Sequence, residues 1–277
     1  AVVTRVYPWS YSSFRSLYFD VFQGTMGALY QSFHETDIIE ARMHIGILKT
    51  DTVRPEWVGE FGEYPDMFKR LLSEAEEGLC FSVWDAEGGV LPDEDDIDSV
   101  SGFIITGSKS SVYDDKQWIR DLEGLIQKLH ARRKKMVGIC FGHQIIAKAL
   151  GGVVSKSDKG WGVGIHTYEL DEAPFDGAQS GQLKLVVSHQ DQVHELPPGA
   201  RNVVSNTHCE NAGFVMGDHI FTLQGHPEFI DEYSEAIMSF RYDMIGADRV
   251  AQGRASLKQH DHEGARIASW MLSFLSS

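Results

Sequence analysis

The chain has 277 residues, 42% hydrophobic and 23% charged, with 40 acidic side chains against 25 basic ones and a net charge of −15. That length gives one large domain or two small ones, each able to bury a full core. The acidic excess excludes a binder of phosphate backbones, which needs a basic face, and no stretch reaches the roughly 18 apolar residues that cross a bilayer.

Residues 1–42 differ from everything after them, being dense in aromatics such as Tyr7, Trp9, Tyr11 and Phe14 and lacking a clean period. Arg5, Arg15 and several serines precede the first acid, a weak transit-peptide composition. The simpler expectation is an extension outside the core, upstream of a start at Met43. From 43 to 277 the chain reads as one α/β domain. HIGILKT (44–50) is a buried strand, and YPDMFKRLLSEAEEG (64–78) is an amphipathic helix stopped by glycine. LCFSVWD (79–85) is a second strand, followed by the acidic loop PDEDDID, which needs only to be solvated. SGFIITGS (101–108) is a third strand, and WIRDLEGLIQKLHARRK (118–134) a helix with basic residues at its C-terminal end. MVGIC (136–140) is a fourth strand, and HQIIAKAL (143–150) the helix after it. This alternation predicts an open, mostly parallel sheet with helices on both faces. The segments GVGIHTYEL, QLKLVVSHQ, RNVVSN, NAGFVMG and HIFTLQGH are short strands that add an antiparallel extension, and Glu232 to Phe274 is helical with breaks at Gly246 and Gly253.

Three cysteines without CxxC spacing give neither a disulfide framework nor a zinc knuckle, which favours a reducing, cytoplasmic setting. Cys80, in a β-like run, is read as a small buried hydrophobe, and Cys209 as structural. Cys140 stands apart, held in Gly138-Ile-Cys140-Phe-Gly142 between a strand and a helix. A nucleophile on a sharp strand-to-helix turn is pushed into the crevice beyond the strand ends. The helix N-terminus behind it lowers a thiol pKa and offers backbone donors to an oxyanion.

A thiol nucleophile needs a base, and the base an orienter. Among twelve histidines, His226 in LQGHPEF follows a strand-like run, and Glu228 comes two residues later. In an extended segment those two side chains project to one side, and Pro227 between them favours that geometry. A carboxylate there fixes the imidazole tautomer. His260-Asp261-His262-Glu263 is read as the solvated face of a helix, and no metal site is expected. Trp118 and Trp161 are read as packing or rim residues.

Gly-Ile-Cys140-Phe-Gly-His-Gln144 and Gln-Gly-His226-Pro-Glu228-Phe resemble the two signature segments of class I glutamine amidotransferases. The resemblance implies a flavodoxin-like α/β fold and a Cys140-His226-Glu228 triad that hydrolyses the γ-amide of glutamine through a γ-glutamyl thioester, without a cofactor. ITGSKSSVYDD is similar to the family's oxyanion loop, implying that Gly107 and Ser108 act with the Phe141 N–H. VVSHQDQV resembles the segment that grips the substrate's α-amino and carboxylate ends, implying Ser188, His189 and Gln190, with Gln144 completing the pocket. The same resemblance takes His189, His194 and Asp191 away from a metal reading. The expected partner is a small molecule, glutamine or another γ-glutamyl compound. About fifty residues follow the HPE segment, and no Gly-x4-Gly-Lys phosphate loop is present. The expectation is a free-standing domain like the GMP-synthase-like proteins, with an ammonia-accepting synthetase as a candidate partner; the alternatives are a γ-glutamyl peptidase acting on glutathione-like conjugates and a non-catalytic or latent regulatory subunit of a synthetase.

Overall fold

The computed structural model describes residues 42–170 and 172–277, so the N-terminal extension read over 1–42 lies, but for Arg42, outside the described residues. Strands β1 (His44–Lys49), β2 (Cys80–Asp85), β3 (Gly102–Ile105) and β4 (Lys135–Ile139) are each followed by helix. The helices are α1 (Pro55–Phe61), α2 (Tyr64–Ala75), α3 (Glu94–Ser99), α4 (Gln117–Ala131) and α5 (Phe141–Ala149). The second half contributes β5 (Val153–Lys156), β6 (Gly162–Leu170), β7 (Gly181–His189), β8 (Asp191–Glu195), β9 (Arg201–Val204), β10 (Gly213–Met216) and β11 (Ile220–Leu223). It closes with α6 (Asp231–Phe240), α7 (Tyr242–Ile245), α8 (Ala247–Gln259) and α9 (Gly264–Ser276).

Seven strands form one sheet in the order β2-β1-β3-β4-β11-β10-β9. The first five run parallel, β10 pairs antiparallel with β11, and β9 pairs antiparallel with β10. The parallel strands are buried on both faces, so their runs are apolar without a polar phase. Alternation still sorts them. Ile45, Ile47, Ile104, Val137 and Ile139 face Phe68 and Leu72 of α2 and Ile267 and Met271 of α9. Leu48, Phe103, Ile105 and Met136 face Leu122 and Ile126 of α4 and Ile145 of α5. The fold is therefore the doubly wound sheet expected from the alternation. Among the described residues the antiparallel extension forms two small sheets, β6 with β7 and β5 with β8, with single bridges from Glu169 to Ser205 and from Val186 to His226.

Four local expectations are corrected. The acidic run is not a bare loop, because Asp93 accepts the Asp96 N–H at 2.9 Å, Asp96 accepts the Asp93 N–H at 3.1 Å, and together they cap α3. Asp96 also receives the Trp84 indole N–H at 3.2 Å, tying the helix to β2. Cys80 is exposed, since β2 is an edge strand and Cys80 is its first residue. Gly246 does break the helical end, but Gly253 lies inside α8. It is glycine because α8 crosses β6 at backbone contact: a Cβ on Gly164 would stand 2.6 Å from the Gly253 Cα, and one on Gly253 3.0 Å from Val163 Cγ2. The second break falls at His260–Glu263 instead, so that segment is a helix junction and not a helical face.

Gly164 also holds φ +78°, so Gly164→Ala meets both a left-handed backbone and a collision. It should lose about 2 kcal/mol or more. Gly124 sits exposed inside α4 with open space around it, and Gly124→Ala should gain about 0.5–1 kcal/mol. Denaturant unfolding of the two variants should move in opposite directions.

Candidate active site

Three neighbouring parallel strands, β3, β4 and β11, end side by side and deliver the loops that begin at Thr106, Cys140 and Gln224. Cys140, the residue between β4 and α5, takes φ 53° and ψ −102°. A non-glycine residue there costs on the order of 1–3 kcal/mol and holds only where the surroundings over-determine it. The flanking glycines supply that grip by close approach. A Cβ on Gly142 would lie 2.2 Å from the Ile105 carbonyl oxygen, and one on Gly138 2.6 Å from the Gly142 carbonyl oxygen. The Gly142 N–H then donates to the Thr106 carbonyl at 3.1 Å, locking the turn to β3. The Phe141 side chain leaves the site and packs on Trp118, so only its main-chain N–H remains at the turn.

His226 is placed by its own backbone, whose N–H donates to Val186 of β7 at 2.8 Å. Gly225 allows that approach, as a Cβ there would meet Leu185 Cβ at 2.8 Å. The imidazole Nδ1–H donates to Glu228 Oε1 at 2.8 Å, because a carboxylate can only accept, and Nε2 is left for the Cys140 thiol. The ring lies flat on Phe229, 3.9 Å between centroids and 8° between planes, which fixes its tilt. Glu228 is buried, and its Oε2 has no partner among the described residues. Burial alone would push His226 down, but the Glu228 charge and then the Cys140 thiol outweigh it and raise the imidazole to about 10.

Gly107 faces this pair, since a Cβ on it would sit 2.8 Å from His226 Cε1 and 3.6 Å from Cys140 Cβ. No side chain fits between the loop and the His226 imidazole. The loop is held by two residues at the end of β1 that the sequence reading missed. The Thr50 hydroxyl reaches the Gly107 carbonyl at 2.9 Å and the Thr106 carbonyl at 3.0 Å. Buried Asp51 accepts the Lys109 N–H at 2.7 Å and pairs with its ammonium. Among the described residues nothing accepts the N–H groups of Phe141 and Ser108.

A cleft of about 420 Å³ opens above the thiol. Cys140, Gln144, Ser108, Ser188, His189 and Gln190 all line it, so the sequence-derived candidates converge. His226 and Glu228 lie behind, covered. Gln144 donates through Nε2 to the Asp191 carbonyl at 2.9 Å and to Gln224 Oε1 at 3.0 Å, which turns its own oxygen into the free acceptor. Burial, with His166 and His208 nearby, pushes His189 well below the usual imidazole range. Neutral, it donates from Nδ1 to the Asp191 carbonyl at 3.1 Å.

Asp191 is therefore a junction, and the sequence had offered it only as a rejected metal ligand. Its carboxylate takes the Ser111 hydroxyl at 2.6 Å and the Tyr113 hydroxyl at 3.0 Å, joining the Gly107 loop to the Ser188 segment. It has no cation partner among the described residues, so a negative charge faces the cleft. Trp161 is a rim residue as read, half-buried on the cleft wall. His194 turns away to the Ser155 carbonyl. Glu263 accepts the Lys184 N–H at 2.8 Å and pairs with Arg266, a junction role.

A family model described as glutamine amidotransferase class-I matches residues 87–242. The chain is 36% identical over 179 residues to γ-glutamyl peptidase 3 of Arabidopsis thaliana, covering 62% of this chain and 71% of that one. It is 31% identical over 214 residues to a glutamine amidotransferase-like protein of Gibberella zeae, covering 74% and 86%. Its fold matches a glutamine amidotransferase structure from Methylobacillus flagellatus with TM-score 0.62 and 22% identity, over 84% of this chain and 94% of the other.

Because His226 is raised from 6.5 to about 10 on folding, its contribution to stability is fully present below pH 6.5 and lost as pH climbs through about 10. The melting temperature should fall more steeply across that window than in His226→Gln. Glu228→Gln, which removes the first of the raising charges, should flatten the slope as well. Parallel curves for all three proteins would contradict the ion-pair reading.

Proposed function

This chain belongs to the glutamine amidotransferase class-I family, and from that premise we propose that it hydrolyses a γ-glutamyl amide through a thioester on Cys140. The observation that carries this is the His226 imidazole, bracketed by the Cys140 thiol and the Glu228 carboxylate. The Cys140 sulfur bonds to the γ-carbonyl carbon while its proton rests on Nε2 of His226, in keeping with the raised imidazole. The carbonyl electron pair moves onto oxygen, where the N–H groups of Phe141 and Ser108 receive it. As the carbonyl re-forms, the carbon–nitrogen bond breaks and His226 returns its proton to the departing amine. Water then gives a proton to His226 and its oxygen to the thioester carbon. Glutamate leaves, and the proton stays on Nε2 beside the freed sulfur.

Glu228 holds Nδ1 protonated, so the reactive nitrogen is always Nε2. Gln144 Oε1 and the Asp191 carboxylate suit the α-ammonium of a γ-glutamyl group, and the neutral His189 keeps the wall uncharged beside them.

The departing amine is larger than ammonia in the reading that the cleft favours. Its volume falls within the roughly 300–1,000 Å³ of clefts that bury drug-sized ligands, and its walls extend to Tyr113, Trp161, Phe240 and Met244. The similarity to a γ-glutamyl peptidase supports the same choice. In that case no synthetase is needed to consume the product.

Glutamate release should be faster from γ-glutamyl dipeptides than from glutamine, and the reverse order would restore the glutaminase reading. Cys140→Ala should lose at least about 10⁴-fold in kcat on either substrate, and activity surviving in that variant would sink the mechanism. Gly107→Ala, whose methyl would collide with the base, should cost at least about 100-fold while the fold persists by circular dichroism.

A further inference from the structure

The cleft contains an arginine that the hydrolytic machinery does not use, alongside two lysines, Lys109 and the exposed Lys156. Arg241 lies at the corner between α6 and α7, where its N–H donates to the Ile237 carbonyl and its own carbonyl accepts from Met244 and Ile245. The backbone at the root of this side chain is therefore fixed. The guanidinium reaches into the cleft beside Cys140, Gln144 and Ser188. Its Nη1 donates to the Ser188 hydroxyl at 3.3 Å, and its planar head lies 5.5 Å from the Trp161 ring centroid.

Its surroundings set it apart from the arginines that pair with acids, although Arg249 too bonds only to main-chain carbonyls, those of Trp161 and Lys159. Arg132, Arg133, Arg254 and Arg266 each reach a carboxylate. Lys109, also in the cleft, is committed to Asp51 and Glu87. Among the described residues no carboxylate pairs with Arg241, although the chain carries 40 acids against 25 bases. One weak bond to a hydroxyl leaves most of its five donors unused. Its position over the Trp161 ring consumes none of those donors. A half-buried guanidinium with a fixed root and spare donors is suited to bidentate pairing with a carboxylate.

We propose that Arg241 binds a carboxylate of the substrate and makes that group a condition of recognition. The inference rests on the γ-glutamyl reading above, in which two carboxylates are available: the α-carboxylate of the glutamyl unit and the terminal carboxylate of a peptide amine. Arg241 is a specificity residue of the cleft and takes no part in proton transfer.

The test uses Cys140→Ala protein, so that binding is read without turnover, and compares it with Cys140→Ala/Arg241→Met by calorimetry. The ligands are glutamine, glutamine with its α-carboxylate amidated, γ-glutamylglycine and γ-glutamylglycinamide. Removing the guanidinium should weaken γ-glutamylglycine roughly 10- to 100-fold, as expected for losing charge-assisted hydrogen bonds. If the α-carboxylate is the partner, glutamine weakens as much and its α-amide does not. If the terminal carboxylate is the partner, only γ-glutamylglycine weakens. Arg241→Lys, which keeps the charge and loses the fork, should retain part of the preference and guards against a variant that merely misfolds. An equal loss for all four ligands, no loss for any, or no binding of any to the Cys140→Ala protein would overturn the proposal. Failure of the hydrolysis reading shows elsewhere, as absence of glutamate release by the unmodified protein.

Discussion

The left-handed backbone of Cys140 is the constraint on which the rest of the site depends. It is unfavourable by itself, and the chain sustains it by bringing three strand ends together at backbone contact. Gly142 lies against Ile105, Gly138 lies against Gly142, and the Gly142 N–H closes on Thr106. Each contact uses the absence of a side chain, so the turn tolerates no slack. The same approach that forces the thiol out of the sheet also brings the Gly107 loop against the imidazole. Strain in one residue and rigidity in its neighbours are two aspects of one arrangement.

Around that turn, fixing is delegated to groups outside the chemistry. Thr50 and Asp51 clamp the Gly107–Lys109 loop from the end of β1. Asp191 joins three segments through main-chain and side-chain oxygens, and Phe229 sets the tilt of the His226 imidazole. These partners hold their neighbours within hydrogen-bond tolerances, which is the geometric demand that covalent catalysis makes.

The elements and the triad candidates were legible because both are written in local patterns. A buried parallel strand is a short apolar run, an elbow is a cysteine between spaced glycines, and a base with its orienter is two residues on one extended stretch. The structure keeps these segments within a few residues of where the sequence places them. What was illegible was set by distant packing. Gly253 looked like a helix break because glycine is a poor helix former, yet its lack of a side chain serves a crossing with β6. The PDEDDID stretch looked merely solvated because a capping box made of two aspartates leaves little apolar signature. Thr50, Asp51 and Arg241 carry no motif at all. Their roles exist only once β1, the Gly107 loop and the α6–α7 corner meet over one cleft.

Gly264 begins α9 with its Cα against the base segment, so close that a Cβ there would stand 2.4 Å from the Pro227 carbonyl oxygen. The rest of α9 packs into the core beneath β1 and β4. Cys140 and its flanking glycines all fall at or before residue 142, but the His226 segment is buttressed by residues more than thirty positions further along than His226. The elbow also leans on later chain, since the Cys140 N–H donates to the Leu223 carbonyl at 2.8 Å. Both halves of the site are therefore held by segments that follow them in sequence, and a change in the helix from Gly264 would reach His226 through Pro227.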